Sequence, residues 1–531
     1  MASIMALRLV RAMRICALRV PFAASMSASS GQYARGTDHA EDFYMAVADA
    51  VSALRGGGGG GGGGGGHSRG INEEVMTLSA ATRTKHAEDE GASKILGEGM
   101  GVPGAVVFPR TTEEVSTVLR MCNENEVPVV PYGVGTSLEG HIAPVAEKRA
   151  IPPLTINLRG MNKVLEVNAE DGDVLAEAGV TRMELNAHLR DSGHFFSVDP
   201  GADATLGGMA SCRASGTTAV RYGTMRDVTM GVTAVLPDGS VAHCGGRSRK
   251  RSNGYDLTGL MVGSEGTLGV ITELRLRLFP IPDKVSAATC YFDTMEGCVN
   301  SVTETLMMGL PVARIELMDD VQVRAINQYS GFSMPELPTI FYEFHGDAGE
   351  EAAATAEAIA KSNGGGGFAF ATKQEDRTRL WSARHTAYYA AQSLRPGERM
   401  QGFPTDVCVP LSELAPSILE TKRDLDENGI IAPIVGHVGD GNYHCLCLVN
   451  LDDEDEKRRW KGCVERMVLR AIEVGGTCSG EHGIGHGKLK YLRREHGDVA
   501  VDAMHAIKKA LDPNNIMNPG KLGSHIPYNF S

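Results

Sequence analysis

The stretch VPVVPYGVGTSLEGH at residues 127–141 constrains the fold more than any other part of the chain. A short β-branched run ends in a proline and opens into a loop carrying Gly133, Gly135 and Gly140. With no side chains at those positions, backbone N–H groups can come close to a phosphate or pyrophosphate. Two familiar phosphate loops are excluded by spacing, since four residues separate Gly135 from Gly140 and no Gly-Lys-Ser/Thr follows. Taken alone, the loop also reads as a Gly-rich surface turn. A GxGxxG does occur at 99–104, but it follows no strand and opens no helix, so it is set aside.

The flanking pattern favours a ligand loop. An apolar run at 105–108 precedes TTEE at 111–114, a capping box that predicts a helix to about Asn125, and a strand over 127–130 comes next. The loop therefore sits at the C-terminal end of a strand in a strand–helix–strand unit, where open α/β sheets hold ligands. Alternation predicts strands at 154–158, 163–167 and 174–180, then a helix opened by Thr181 and Glu184. In residues 197–211, Ala204, Gly207, Gly208, Ala210 and Ser211 would leave a helix N-terminus nearly bare, fit for a flat ring or a phosphate. A tightly packed helix pair would explain those glycines but not the Pro, Asp and Thr before them. A strand at 228–236 turns at Asp238-Gly239, a hairpin signal, and GSEGTLGVI at 263–271 feeds a long strand to Phe279. Three Gly/Ser-rich segments in one domain imply one large ligand held from several sides.

Past Pro280-Ile-Pro282, read as a domain junction, strands at 286–292, 312–317 and 339–344 interleave with helices such as 350–361, which predicts an α+β or α/β cap. Within it, IVGHVGDGNYHCLCL at 434–448 reads as two strands joined at Asp440-Gly441. A type I′ turn there would set His437 opposite His444, about 5 Å apart at Cβ, a separation suited to sharing a metal. SGEHGIG at 479–485 offers Glu481 as a third ligand, and two His with one carboxylate leave an open coordination position. Cys445 and Cys447 beside His444 read as small buried hydrophobes in strand alternation rather than as further ligands.

Length and charge bound the rest. At 531 residues the chain exceeds one hydrophobic core, and two domains are expected. A net charge of −13 argues against a nucleic-acid surface, and no apolar run is long enough to cross a bilayer. Eleven cysteines without a CxxC suit reduced thiols in an intracellular enzyme. Residues 1–36 are Arg-rich, apolar and free of acidic residues, the pattern of a mitochondrial transit peptide. A secretory signal would need an unbroken apolar run that the arginines interrupt. An N-terminal helical segment over 37–98 is expected, with the glycine run at 56–66 as its linker.

PYGVGTSLEG, DPGADATLGG, RYG, VGSEGTLGVIT, HVGDGNYH, SGEHGIG and LDPNNIMNPGK, in that order from about Gly101 to Leu522, resemble the vanillyl-alcohol-oxidase-type FAD enzymes. The resemblance implies an α+β fold: a two-subdomain FAD-binding domain over 99–282 and a C-terminal α/β substrate and metal (cap) domain over 283–525. It implies FAD contacts from Pro131, Tyr132, Gly133, Gly135, Thr136, Ser137 and Gly140, and from Pro200, Gly201, Thr205, Gly207, Gly208 and Ser211. Gly216, Tyr222, Gly223, Gly263, Glu265, Gly266, Gly269, Val270, Ile271 and Asn518 complete that set. It further implies a divalent metal, zinc or manganese, on His437, His444 and Glu481, with His482 as base. Arg384 matches the position that binds a substrate carboxylate, although composition alone makes it a surface arginine in the polar run 373–384. The implied activity is FAD-dependent oxidation of a D-2-hydroxy acid, with electrons passed to cytochrome c or another carrier. Relatives acting on D-2-hydroxyglutarate carry a lysine near FPTD at 403–406; this chain has none there, which favours D-lactate. Glycolate or D-2-hydroxyglutarate as substrate, a non-redox lipid-synthesising transferase of the same superfamily, and a metal-dependent hydrolase are the competing readings.

Overall fold

Thr111 caps the helix Thr112–Glu124 where the TTEE signal predicts, its hydroxyl accepting the Glu114 N–H at 3.2 Å. Only half of the capping box forms. The Glu114 carboxylate instead accepts the Arg110 N–H and pairs with Arg55 at 2.8 Å, which ties this helix to the end of helix Thr37–Leu54. The computed structural model describes residues 37–56, 71–91, 100–145, 149–397 and 400–523. The leader at 1–36, the glycine run beyond Gly56, and Gly99 lie outside the described residues.

The first sheet holds β1 (Met76–Thr77), β2 (Ala105–Val107), β3 (Val129–Tyr132) and β4 (Leu154–Asn157) in the order β1-β2-β4-β3. β4 pairs parallel with both β2 and β3, so it lies between the two strands that the helix connects. Phe43, Val47 and Val51 share one face of helix Thr37–Leu54 and join the core made by Leu119, Val129, Leu154 and Ile156. The outer side of β3 is taken by the C-terminal segment: the Val129 N–H donates to Ile516 O at 2.7 Å, and the Asn518 N–H donates to Val129 O at 2.8 Å.

The second sheet is antiparallel. β5 (Val164–Asn168), β6 (Asp173–Glu177), β8 (Thr229–Val235), β9 (Val241–Gly245) and β10 (Val270–Arg277) lie in the order β5-β6-β10-β8-β9, while β7 (His194–Phe195) pairs with β11 (Phe279–Pro280). The hairpin of β8 and β9 turns at Gly239 with φ +84°, a conformation that favours glycine. Helix Arg182–Leu189 has its complete capping box, and helix Leu206–Cys212 is capped by Thr205; both bury apolar residues on this sheet.

The third sheet orders β12 (Val285–Phe292), β13 (Val312–Met318), β14 (Thr339–His345), β15 (Gly365–Ala371), β16 (Met400–Pro404), β18 (Ile434–Gly436) and β19 (Asn442–Asn450) as β15-β12-β14-β13-β18-β19-β16, with β17 (Val407–Cys408) also paired to β19. Every pairing is antiparallel, so the interleaved helices cross back over the sheet instead of joining parallel neighbours. Ile315 and Leu317, Tyr342 and Phe344, and Tyr443, Cys445 and Cys447 face helices Met295–Met307, Gly349–Ser362, Leu411–Glu427 and Glu454–Glu473. The two cysteines are thus core residues, their thiols raised by burial. By the two-residue period of a strand, Arg314, Glu316, Glu343, His345 and His444 share the opposite face.

Candidate functional site

The glycine-rich segments converge. Gly133 has no room for a side chain because a Cβ there would collide with Thr205 Oγ1, the cap of helix Leu206–Cys212. Gly266, at φ +69°, lies against the ring of Pro131, and a Cβ on it would come within 3.0 Å of Cγ. The Asn518 side chain donates to His141 O at 3.0 Å and to Glu265 O at 2.9 Å, which closes the group from the C-terminal segment. Ser137 Oγ, Ser264 Oγ and Asn518 Oδ1 are buried without a hydrogen-bond partner among the described residues. Buried polar atoms are normally satisfied, so three orphans around one cradle fit a bound polar group such as the phosphates and ring of FAD.

Not every glycine of the sequence-derived set opens onto that cradle. A Cβ on Gly207 would strike Ala178, on Gly216 the Asp199 carboxylate and on Gly269 Val235 O, so at these positions the missing side chain serves protein packing. A Cβ on Gly223 would meet Asp227, and Gly201 has nothing within 4 Å of where its Cβ would be. The side chains of Val270 and Ile271 enter the cores below. Tyr222 reaches the third sheet, its hydroxyl 2.6 Å from His345 Nδ1.

His437, His444 and Glu481 meet, with their ligand atoms within 4.8 Å of one another. Glu481 Oε1 lies 3.2 Å from Nε2 of each histidine, and Glu481 Oε2 has no partner among the described residues. His437 Nδ1–H donates to Glu316 at 2.7 Å and His444 Nδ1–H donates to Thr405 O at 2.9 Å. These bonds orient both rings so that both Nε2 atoms face Glu481, a donor set that fits a divalent ion displacing the proton that Glu316 and Glu481 favour on His437. Burial would raise the Glu481 carboxyl, but His437 and His444 hold it well below the usual carboxylate range.

The route to this geometry differs from the two-residue hairpin expected. β18 pairs Val435, not His437, with His444. Residues 438–440 form a 3-10 turn and Gly441 takes φ +78°, so the connection is longer and His437 leaves the ladder. Freed from the strand, its ring reaches Glu316 on β13 and still lies 5.4 Å from the His444 ring.

His482 stacks on His444 at 5.1 Å with the planes 9° apart. Burial, reinforced by His444 and opposed by Asp406, lowers its pKa to about 4, so the imidazole is neutral and can accept a proton. Arg384 is no surface arginine: its side chain is 14% exposed, and Nε and Nη2 both lie 2.9 Å from Glu316 Oε2. Sequence reasoning missed Glu316, although two charges at alternate positions of an apolar strand, Arg314 and Glu316, were a signal. It also missed Asp406, 1% exposed, which accepts from Ser479 Oγ at 2.8 Å, Glu481 N at 3.0 Å and His482 N at 2.9 Å.

The two groups of residues adjoin. Lys488 Nζ lies 3.2 Å from Glu139 of the glycine loop and donates to Asp406 O at 3.0 Å. Glu265 accepts the N–H groups of Ile484 at 2.7 Å and Gly485 at 2.8 Å. A cavity of about 620 Å³ touches both, lined by Ser264, Glu265, Gly480, Glu481 and Gly483 among others.

Residues 103–245 match the family described as FAD binding domain, and residues 281–522 match FAD linked oxidases, C-terminal domain. A probable mitochondrial D-lactate dehydrogenase of Danio rerio is 46% identical over 85% of this chain and 89% of its own. A mitochondrial D-lactate dehydrogenase [cytochrome] of Arabidopsis thaliana is 42% identical, covering 85% of this chain and 78% of that one. Among solved structures, p-cresol methylhydroxylase superposes with a TM-score of 0.71 at 17% identity, over 92% of this chain and 98% of that chain, a likeness of fold.

Proposed function

The chain belongs to the FAD-linked oxidases, and from that premise we propose that it is an FAD-dependent D-lactate dehydrogenase of the mitochondrion, oxidising D-lactate to pyruvate and passing the electrons to cytochrome c or another carrier. The observation that carries the reading is the set His437, His444 and Glu481 with neutral His482 stacked beside it, joined to the glycine loop through Glu139 and to the 263–271 segment through Glu265.

When bound, FAD supplies a hydride acceptor, and a divalent ion, zinc or manganese, supplies a Lewis acid that lowers the pKa of the substrate hydroxyl. FAD is assigned to the cradle of Pro131, Gly133, Gly135, Thr136, Ser137 and Gly140, with Thr205, Ser211, Gly263, Gly266 and Asn518 around it. The ion is assigned to Nε2 of His437 and His444 and to the Glu481 carboxylate, and the orphaned Glu481 Oε2 supports this.

Arg384 holds the substrate carboxylate. Glu316 takes the Nε/Nη2 edge of the guanidinium, which leaves the other edge for a second carboxylate and fixes how the acid lies. His482 takes the hydroxyl proton on a ring nitrogen, its Nδ1 being buried without a hydrogen-bond partner among the described residues, while Asp406 pins the backbone N–H of Glu481 and His482. D-Lactate is preferred over a dicarboxylate because FPTD at 403–406 carries no lysine, and the names of both relatives support the same substrate.

Anaerobic absorbance spectra of the purified protein test the proposal, with D-lactate, L-lactate, glycolate and D-2-hydroxyglutarate added in parallel. D-Lactate is expected to bleach the flavin band, and chelation to abolish the bleaching. Bleaching by another acid alone overturns the substrate; a protein that stays colourless after FAD is added overturns the flavoenzyme reading.

A further inference from the structure

Glu316 is fully buried on a central strand, yet its carboxylate serves neither the hydrophobic core nor the glycine-rich cradle. Its two oxygens go to different partners. Oε1 accepts the Nδ1–H of His437 at 2.7 Å, and Oε2 accepts from Arg384 at 2.9 Å. The first contact is the outer bond that sets the ring angle of a ligating histidine. The second occupies one edge of the guanidinium fork and leaves the arginine a single way to meet another carboxylate. The support beneath Glu316 is itself rigid: it lies opposite Phe341 of β14, and its neighbour Leu317 lies opposite Gly436, the residue just before His437.

A 2-hydroxy acid presents its hydroxyl and its carboxylate from adjacent carbons. The groups that hold those two ends must therefore keep a fixed separation, and here one immobile anion touches both. We propose that Glu316 is a positioning residue that sets the distance between the metal centre and the carboxylate-binding arginine, and so couples affinity for the ion to affinity for a carboxylate. The inference rests on the reading of the site given above.

The test compares FAD-loaded wild type with Glu316→Gln, using two probes that need no turnover. Zinc or manganese alone is titrated as metal retained per flavin, and propionate, a carboxylate with no hydroxyl to offer the ion, is titrated by its perturbation of the flavin band. Glu316→Gln is expected to weaken metal retention about 10- to 100-fold. In wild type, saturating metal is expected to tighten propionate binding, and in the variant that dependence is expected to vanish. A role in folding alone would lower the melting temperature and flavin content while leaving both affinities unchanged in the molecules that keep flavin, and that result overturns the proposal. Should Glu316→Gln fail to fold, Glu316→Asp decides: it keeps the charge but is one methylene shorter and cannot span both partners, so KM for D-lactate is expected to rise more than kcat falls. Unchanged KM and metal retention in Glu316→Asp overturn the proposal. Failure of the functional reading shows separately, as wild-type flavin that D-lactate does not reduce.

Discussion

Replacing Asp406 with Asn keeps its shape and removes its charge, which isolates what the carboxylate does for the loop bearing Glu481 and His482. Oδ1 accepts from Asn442 Nδ2 at 2.8 Å, and Oδ2 accepts from Ser479 Oγ, Glu481 N and His482 N at 2.8, 3.0 and 2.9 Å. Every partner is a donor. An amide must therefore aim its NH₂ at a donor whichever way it turns, and Asn442 cannot readily flip away because the same Nδ2 also donates to Val407 O at 2.8 Å. One stranded buried donor costs about 1–3 kcal/mol, and each hydrogen bond to a charged acceptor that becomes neutral loses part of about 1.5–3 kcal/mol. Lys488, 3.6 Å away, also loses one counter-charge but keeps Glu139. The total is about 3–5 kcal/mol, the range for removing one partner of a buried ion pair. At about 1.36 kcal/mol per decade, the opening equilibrium of this loop shifts by about two to nearly four decades. Hydrogen exchange followed by mass spectrometry on a peptide spanning 479–485 reads that shift directly. Exchange in Asp406→Asn within about threefold of wild type, with flavin still bound, would refute the reasoning.

Four further outcomes are expected. His482→Asn should slow flavin reduction by D-lactate about 10²- to 10⁴-fold in stopped-flow measurements while leaving FAD content unchanged. With the divalent ion kept saturating against proton competition at His437, the reduction rate should hold level from neutral pH to about 5 and fall as pH nears 4, because burial lowers the His482 pKa to about 4. The stability sign follows: with the folded value below the ordinary 6.5, this group's contribution is full above 6.5 and is lost as pH falls from there toward 4, visible as a declining melting temperature. Gly133→Ala should cost about 1–3 kcal/mol of overpacking against Thr205, read as at least about tenfold weaker FAD retention, whereas Gly201→Ala, with nothing near its Cβ, should retain FAD normally.

Much of this architecture was legible in local pattern. Thr181 and Glu184 announced a helix start that forms its full capping box, and Asp238-Gly239 announced the hairpin of β8 and β9. Alternation located β12, β13 and β14 because each buries one apolar face against helices. Pairing partners were less legible, since β4 enters between β2 and β3 from further along the chain. The contact of His437 with His444 was foreseen through a register that does not occur; the loop of 438–441 is longer and the rings meet from outside the ladder. Arg384 and Glu316 escaped composition for a related reason. Neither residue's neighbours in sequence reveal that a helix and a strand 68 residues apart bring them together. The glycines divided in a way that only packing shows, with Gly133 facing a cap and Gly207 facing Ala178.

The return of the C-terminal segment to β3 makes assembly of the glycine-rich cradle a late event in the life of the chain. Asn518 meets His141 O across 377 residues, and Lys521, fully buried, donates to Ala143 O at 2.6 Å across 378. A ribosome that has released the whole first half has therefore not yet made a complete binding site, and contacts this distant in sequence form slowly. On the assignment of FAD proposed above, cofactor loading becomes a check on full-length synthesis: a chain cut short before Asn518 lacks the contacts that close the cradle and is expected to remain without its colour.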